Sequence, residues 1–229
     1  MKKKKNKILI FSLFFLSGLA SCKKITSIDT DPIATVNIVN AINAGGGVKL
    51  NLNREVVSNN TFQIQAIYAG SGNIKAYDAV SNAVYYNQPQ ETVNGGLYSL
   101  YLTGTATSTD GVWVKDSIKA YGSANTTTTV RVVNLSNAGP VNVSLASATA
   151  TNVFANVAYK SVTTFQDFPM PLSVPSGTTT FQFKDAANTV VASFTLPESA
   201  RNRSYTIVLK GLSAGAGTSA IGCIGQQHY

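Results

Sequence analysis

One histidine, two cysteines and ten carboxylates are the side chains here that most often carry acid–base or metal chemistry. His228 is the penultimate residue, a place where chains fray and a general base is poorly held. With so few His and Cys, no His/Cys metal cluster can form, and no metal site is expected. Asp78 and Asp185 are each followed by alanine and soon by Asn82 or Asn188. That is the pattern of an aspartate capping a hairpin turn through nearby backbone amides. As a glycosidase pair they would have to stand about 5–10 Å apart, yet they fall in separate copies of a repeat described below. Calcium would ask for a denser acidic loop. Gly215-Ala-Gly217-Thr-Ser-Ala220 spells a dinucleotide-binding glycine pattern. That chemistry needs the glycines to open a helix after a parallel strand, and no helix-forming sequence follows. There is no Gly-x-Ser-x-Gly elbow and no phosphate loop. The reading is of a protein that is not an enzyme and uses no cofactor.

Aromatic residues crowd the first half, at Tyr68, Tyr77, Tyr85, Tyr86, Tyr98, Tyr101, Trp113 and Tyr121. Flat exposed rings stack on sugar faces while Asn and Thr bond the hydroxyls. Tyr85, Tyr86 and Trp113 are the candidate carbohydrate contacts, and a platform requires at least two of these rings exposed and coplanar. Ordinary strand composition gives the same enrichment, because Tyr favours sheets.

The N-terminus carries the sharpest signal. Lys2, Lys3, Lys4, Lys5 and Lys7 precede the twelve-residue apolar run Ile8 to Leu19, then Ala20, Ser21 and Cys22. A basic start, a short apolar core and small residues form a secretory signal peptide over 1–21. The core is too short for the roughly 18–20 residues of a membrane span. Leu19-Ala20-Ser21-Cys22 resembles a bacterial lipobox, in which small residues let the peptidase approach the backbone and the cysteine is lipidated. Two or more acyl chains such as palmitate, at about 0.8 kcal/mol per buried methylene, anchor a protein stably. The expected mature protein hangs from a membrane by Cys22, with residues 22–33 as lipidated N-terminus and tether. Lys23, where inner-membrane lipoproteins often carry Asp, favours the outer membrane of a Gram-negative bacterium. The partners expected are that membrane, through the lipid, and an envelope protein or glycan.

Removing the leader also changes the charge argument. The formal +8 falls to 13 − 10 = +3 once its five lysines are gone. No basic cluster remains beyond Lys23-Lys24, so nucleic acid is not an expected partner. Cys223 then has no internal partner, and its apolar surroundings read as a small buried hydrophobe.

The elements that must position these residues are strands. Only 12% of the chain is charged, against 24 Thr, 22 Ser and 20 Asn. Val36 and Ile38, Val130 and Val132, Phe181 and Phe183, and Tyr205, Ile207 and Leu209 alternate with other residues, as strands with one buried face do. The chain also repeats itself. Ala34–Gly45 matches Thr128–Gly139 at seven of twelve positions, and 74–104 aligns without a gap to 181–211 at seven of 31. The expected fold is all-β: two tandem antiparallel, immunoglobulin-like β-sandwiches at 34–123 and 124–229, joined through a modest contact. A single large barrel is the alternative. Tyr98, Leu100 and Leu102 are expected to face one core as Tyr205, Ile207 and Leu209 face the other, with Gly104 and Gly211 ending their strands.

The motif Val130-Arg-Val-Val-Asn-Leu-Ser136, a following short Val-x-Val strand and Ser204-Tyr-Thr-Ile-Val-Leu209 resemble the domain of unknown function family 4397. The resemblance spans nearly all of 34–229 and is clearer in the second copy, since the first has Asn37 in place of the basic residue and a Gly45–Gly47 insertion. It implies a β-rich module of bacterial envelope or secreted proteins, often in tandem. It carries no catalytic or binding residues. The expected role is a non-enzymatic structural or adhesive envelope module, with carbohydrate binding through the first copy's Tyr and Trp as the alternative.

Overall fold

The computed structural model describes residues 31–50, 54–57, 62–121, 126–170 and 179–228. The expected signal peptide, Cys22 and the tether before Asp31 lie outside the described residues. Among the described residues the chain is all-β, with no α-helix, and Pro32–Tyr229 forms one compact unit.

Eight strands build the first half: β1 (Ile33–Asn40), β2 (Val48–Leu50), β3 (Arg54–Val57), β4 (Phe62–Tyr68), β5 (Gly70–Asp78), β6 (Val84–Thr92), β7 (Leu97–Thr105) and β8 (Ser108–Lys115). Nine build the second: β9 (Thr127–Asn134), β10 (Val141–Leu145), β11 (Ala148–Val157), β12 (Ser161–Val162), β13 (Gln166–Pro169), β14 (Thr180–Lys184), β15 (Val190–Thr195), β16 (Ser204–Lys210) and β17 (Gly222–His228). Each half pairs two sheets around its own apolar cluster. In the first the orders are β4-β1-β7-β8 and β3-β2-β5-β6. In the second they are β12-β9-β16-β17, with β13 also on β9, and β11-β10-β14-β15.

The strand order is the same in both halves, down to one shared irregularity. The sheets are not purely antiparallel as expected: β1 runs parallel to β7, with Val36 opposite Tyr98, and β9 parallel to β16, with Val130 opposite Tyr205. Parallel neighbours need a long crossover, and the intervening strands, which include the whole second sheet, supply it.

Tyr98, Leu100 and Leu102 face the first core, and Tyr205, Ile207 and Leu209 the second. Gly104 and Gly211 sit at the ends of these strands with φ +99° and +103°. A Cβ there would collide with the carbonyl oxygens of Ser108, at the start of β8, and of Ala220, just before β17, so only glycine fits. The ungapped match of 74–104 to 181–211 slips between these anchors. Asp78 N–H donates to the Ala83 carbonyl, five residues on, whereas Asp185 N–H donates to that of Thr189, four on. Ala76 accordingly pairs with Tyr86, but Phe183 pairs with Ala192, one residue short of the ungapped match.

The alternation leaves the second face of these strands to water, and the structure covers it. Val39, Ala41 and Tyr101 of the first half pack with Val133, Leu135 and Val208 of the second in a third apolar cluster. Thr103 Oγ1 donates to the Leu135 carbonyl at 3.0 Å across the same seam. Fully burying each large apolar side chain contributes about 1.5–3 kcal/mol, so six buried members make this a core. The contact between the halves is thus an apolar one, built on these six buried residues.

Candidate functional site

The polar groups that could do chemistry gather in that seam. Arg131 lies on β9 between Val130 and Val132, which point into the second core. Alternation turns its side chain the other way, toward the first half. There its Nη2 donates to Asp116 Oδ1 at 2.6 Å and to the Tyr101 hydroxyl at 2.7 Å. Its Nε donates to Thr206 Oγ1 at 2.9 Å. Asp116 follows β8, and its Oδ2 accepts from Ser99 Oγ at 2.7 Å. The ion pair is 3% and 0% exposed at its two ends. So enclosed, with Nε and Nη2 spent on Thr206, Asp116 and Tyr101, the guanidinium ties the two halves together.

His228 extends this cluster and corrects the expectation of a frayed end. It closes β17 opposite Ser204 and is 2% exposed. Its Nε2 shares a 2.7 Å hydrogen bond with Thr206 Oγ1, and its ring meets Phe165 edge-on at 5.8 Å. Phe165 carries the Arg131 guanidinium over its face, 4.6 Å from the ring centre. Burial, then the positive charge of Arg131, pushes the imidazole down to about 4, while Asp116 pulls the other way. The ring is neutral at pH 7 and acts as a packed polar group. Burial likewise raises the Tyr101 phenol.

Beside the cluster the two sheets part into an open cleft of about 820 Å3 between β8 and the β12–β13 edge. Val112, Val114 and Val162 form its apolar walls, and Lys115, Lys119 and Lys160 stand on its rim. Two exposed ion pairs bridge the halves at the cleft: Lys119 to Asp167 at 2.8 Å, and Lys160 to Asp110.

The residues singled out from sequence do not assemble into a site. Tyr85 and Tyr86 are 5% and 8% exposed and belong to the first core, so they form no sugar platform. The cause is a β-bulge: Ala76 pairs with Tyr86 and Tyr77 with Val84, leaving Tyr85 unpaired. A bulge breaks the in–out alternation and lets consecutive side chains turn inward. Trp113 is partly buried and stacks on Tyr98 at 5.2 Å.

Asp78 and Asp185 are turn caps. Asp78 Oδ1 accepts from the amides of Val80 and Ser81, and Asp185 Oδ1 from those of Ala187 and Thr189. Tyr85 donates to Asp78 Oδ2 at 2.5 Å, which with the Ser81 amide holds that carboxyl well below the usual carboxylate range. Burial and the facing carboxylate push the Tyr85 phenol up to about 12.

The Gly215–Ala220 stretch joins the antiparallel pair β16 and β17 and contains a single 3-10 turn, Gly217–Ser219. The stretch follows β16, which runs parallel to β9, but it opens only this three-residue turn and no α-helix. Cys223 packs on the second core, and burial raises its thiol to about 12. Among the described residues no three His, Cys, Asp or Glu side chains gather as a metal site.

Sequence reasoning missed Asp116, Tyr101 and the bonding role of Arg131. The available signal was Arg131 itself, a lone charge in an otherwise uncharged strand with valine on both sides. Compared with models of known protein families and with curated proteins, the chain matches none.

Proposed function

We propose that the chain is a lipoprotein anchored through Cys22 to the outer membrane of a Gram-negative bacterium. Its body is a pair of tandem immunoglobulin-like sandwiches, as the resemblance to the domain of unknown function family 4397 implies, and it serves as a non-enzymatic structural or adhesive module. The observation that carries the mechanical part is the buried Arg131–Asp116 pair within the apolar seam. A seam of that kind suits a stiff module projecting from a membrane better than a hinged clamp. Duplication is supported by the shared strand order, the shared parallel pair and the glycines at 104 and 211. Anchoring is supported by Leu19-Ala20-Ser21-Cys22 after a short apolar core. The glycan alternative loses two of its three named residues, since Tyr85 and Tyr86 lie in the core.

Feeding cells an alkyne fatty acid and comparing the wild type with Cys22→Ala tests the reading. Labelling and detergent partition of the wild type alone are expected. Equal labelling of both, or of neither, would overturn the anchor.

A further inference from the structure

The end of the first sandwich that receives the tether has an unusual surface. Ile33 is 52% exposed, Tyr68 72% and Val93 47%. Ile33 and Tyr68 are directly opposed on β1 and β4 and so share a face. Val93 belongs to the neighbouring turn, where Asn94 Oδ1 accepts from Ile33 N–H at 3.0 Å and Gly95 N–H donates to the Ile33 carbonyl at 2.7 Å. The backbone of this end is also tied off internally. Ala69 N–H donates to the Pro32 carbonyl, Gly96 N–H to that of Val93, Gly70 N–H to Thr92 Oγ1 and Val93 N–H to the Tyr98 hydroxyl. Groups already bonded lose little when water is withdrawn.

The reach of the chain selects what covers this surface. Nine peptide units separate Cys22 from Asp31, at most about 30 Å of extended chain. A lipid on Cys22 therefore keeps this end within a short distance of the bilayer. We infer that Ile33, Tyr68 and Val93 rest in the headgroup zone of the phospholipid bilayer that holds the anchor, standing the body upright on it. This rests on the proposed acylation of Cys22. Tyr68 suits the role because an amphipathic ring settles at a membrane–water interface. The opposite end of β5 carries Val80, 87% exposed; the nine-residue strand between them spans about 27 Å.

The test uses the lipidated chain in phosphatidylcholine vesicles with brominated acyl chains, which quench tryptophan at the surface. Tyr68→Trp and Val80→Trp are each compared with the wild type, whose Trp113 sets the background. Loss and blue shift of emission are expected for Tyr68→Trp alone. No added quenching at either position, or equal quenching at both, overturns the inference. Mass analysis of the N-terminal peptide reports acylation separately. If Cys22 proves unmodified, the anchor reading fails; coupling a synthetic diacyl maleimide to Cys22 in a Cys223→Ser background then gives the same two outcomes for the surface.

Discussion

Arg131 of the second half reaches Asp116 of the first at 2.6 Å, and both side chains are buried. Cutting one partner strands the other charge in the seam, which costs about 3–5 kcal/mol in buried pairs. Asp116→Ala and Arg131→Leu are each expected to lower unfolding stability by that amount in urea titrations. Replacing both, as Asp116→Leu with Arg131→Met, should recover most of the loss. If the single variants are as stable as the wild type, the pair does not hold the seam.

His228 gives the seam a pH dependence whose sign follows from its burial. The unfolded chain takes up a proton near the ordinary value of 6.5, and the folded chain does so only near 4. Its contribution is thus fully present above 6.5 and is lost as pH falls from 6.5 toward 4. The charges facing it are Arg131, which adds to the lowering, and Asp116, which opposes it. Asp78 adds a second loss beginning only below its ordinary 3.8, because its carboxyl is lowered in the folded state. Stability measured across pH should decline through the first window in the wild type and stay flat there in His228→Gln.

Tyr85 and Asp78 should titrate as a linked pair. Ultraviolet absorbance is expected to show the Tyr85 phenol among the late-ionising ones, at about 12 against the ordinary 10.0, and its share of that late phase should move down in Asp78→Asn. Tyr85→Phe removes a hydrogen bond to a charged group, worth about 1.5–3 kcal/mol. An unchanged titration in Asp78→Asn would contradict the 2.5 Å contact.

The two glycines offer a paired test of equivalence. Gly104→Ala and Gly211→Ala each force a side chain into positive φ and against a neighbouring carbonyl. Each should cost about 1–3 kcal/mol of backbone strain, seen as similar shifts in the denaturation midpoint. A tolerated alanine at one position and not the other would separate the two halves.

What the sequence made legible was parity. Tyr98, Leu100 and Leu102 point inward as their spacing requires, because a one-residue slip would expose all three. The aspartate turns were legible too, since Asx capping is local. Tyr85 was not, because a bulge is a property of two strands and leaves no mark in one. The fate of the second strand face was not legible either. Ser99, Tyr101 and Thr103 suit water or a polar seam equally well, and only the partner sheet decides between them. The same partner sheet explains His228: a terminal histidine reads as exposed until β17 is seen pairing with β16.

The two halves form one body through a shared core. Calorimetric unfolding of the mature chain tests it most directly. A single transition is predicted, with equal calorimetric and van't Hoff enthalpies, since neither half keeps its buried seam residues covered alone. Two resolved transitions, or a half that stays folded while the other melts, would contradict it.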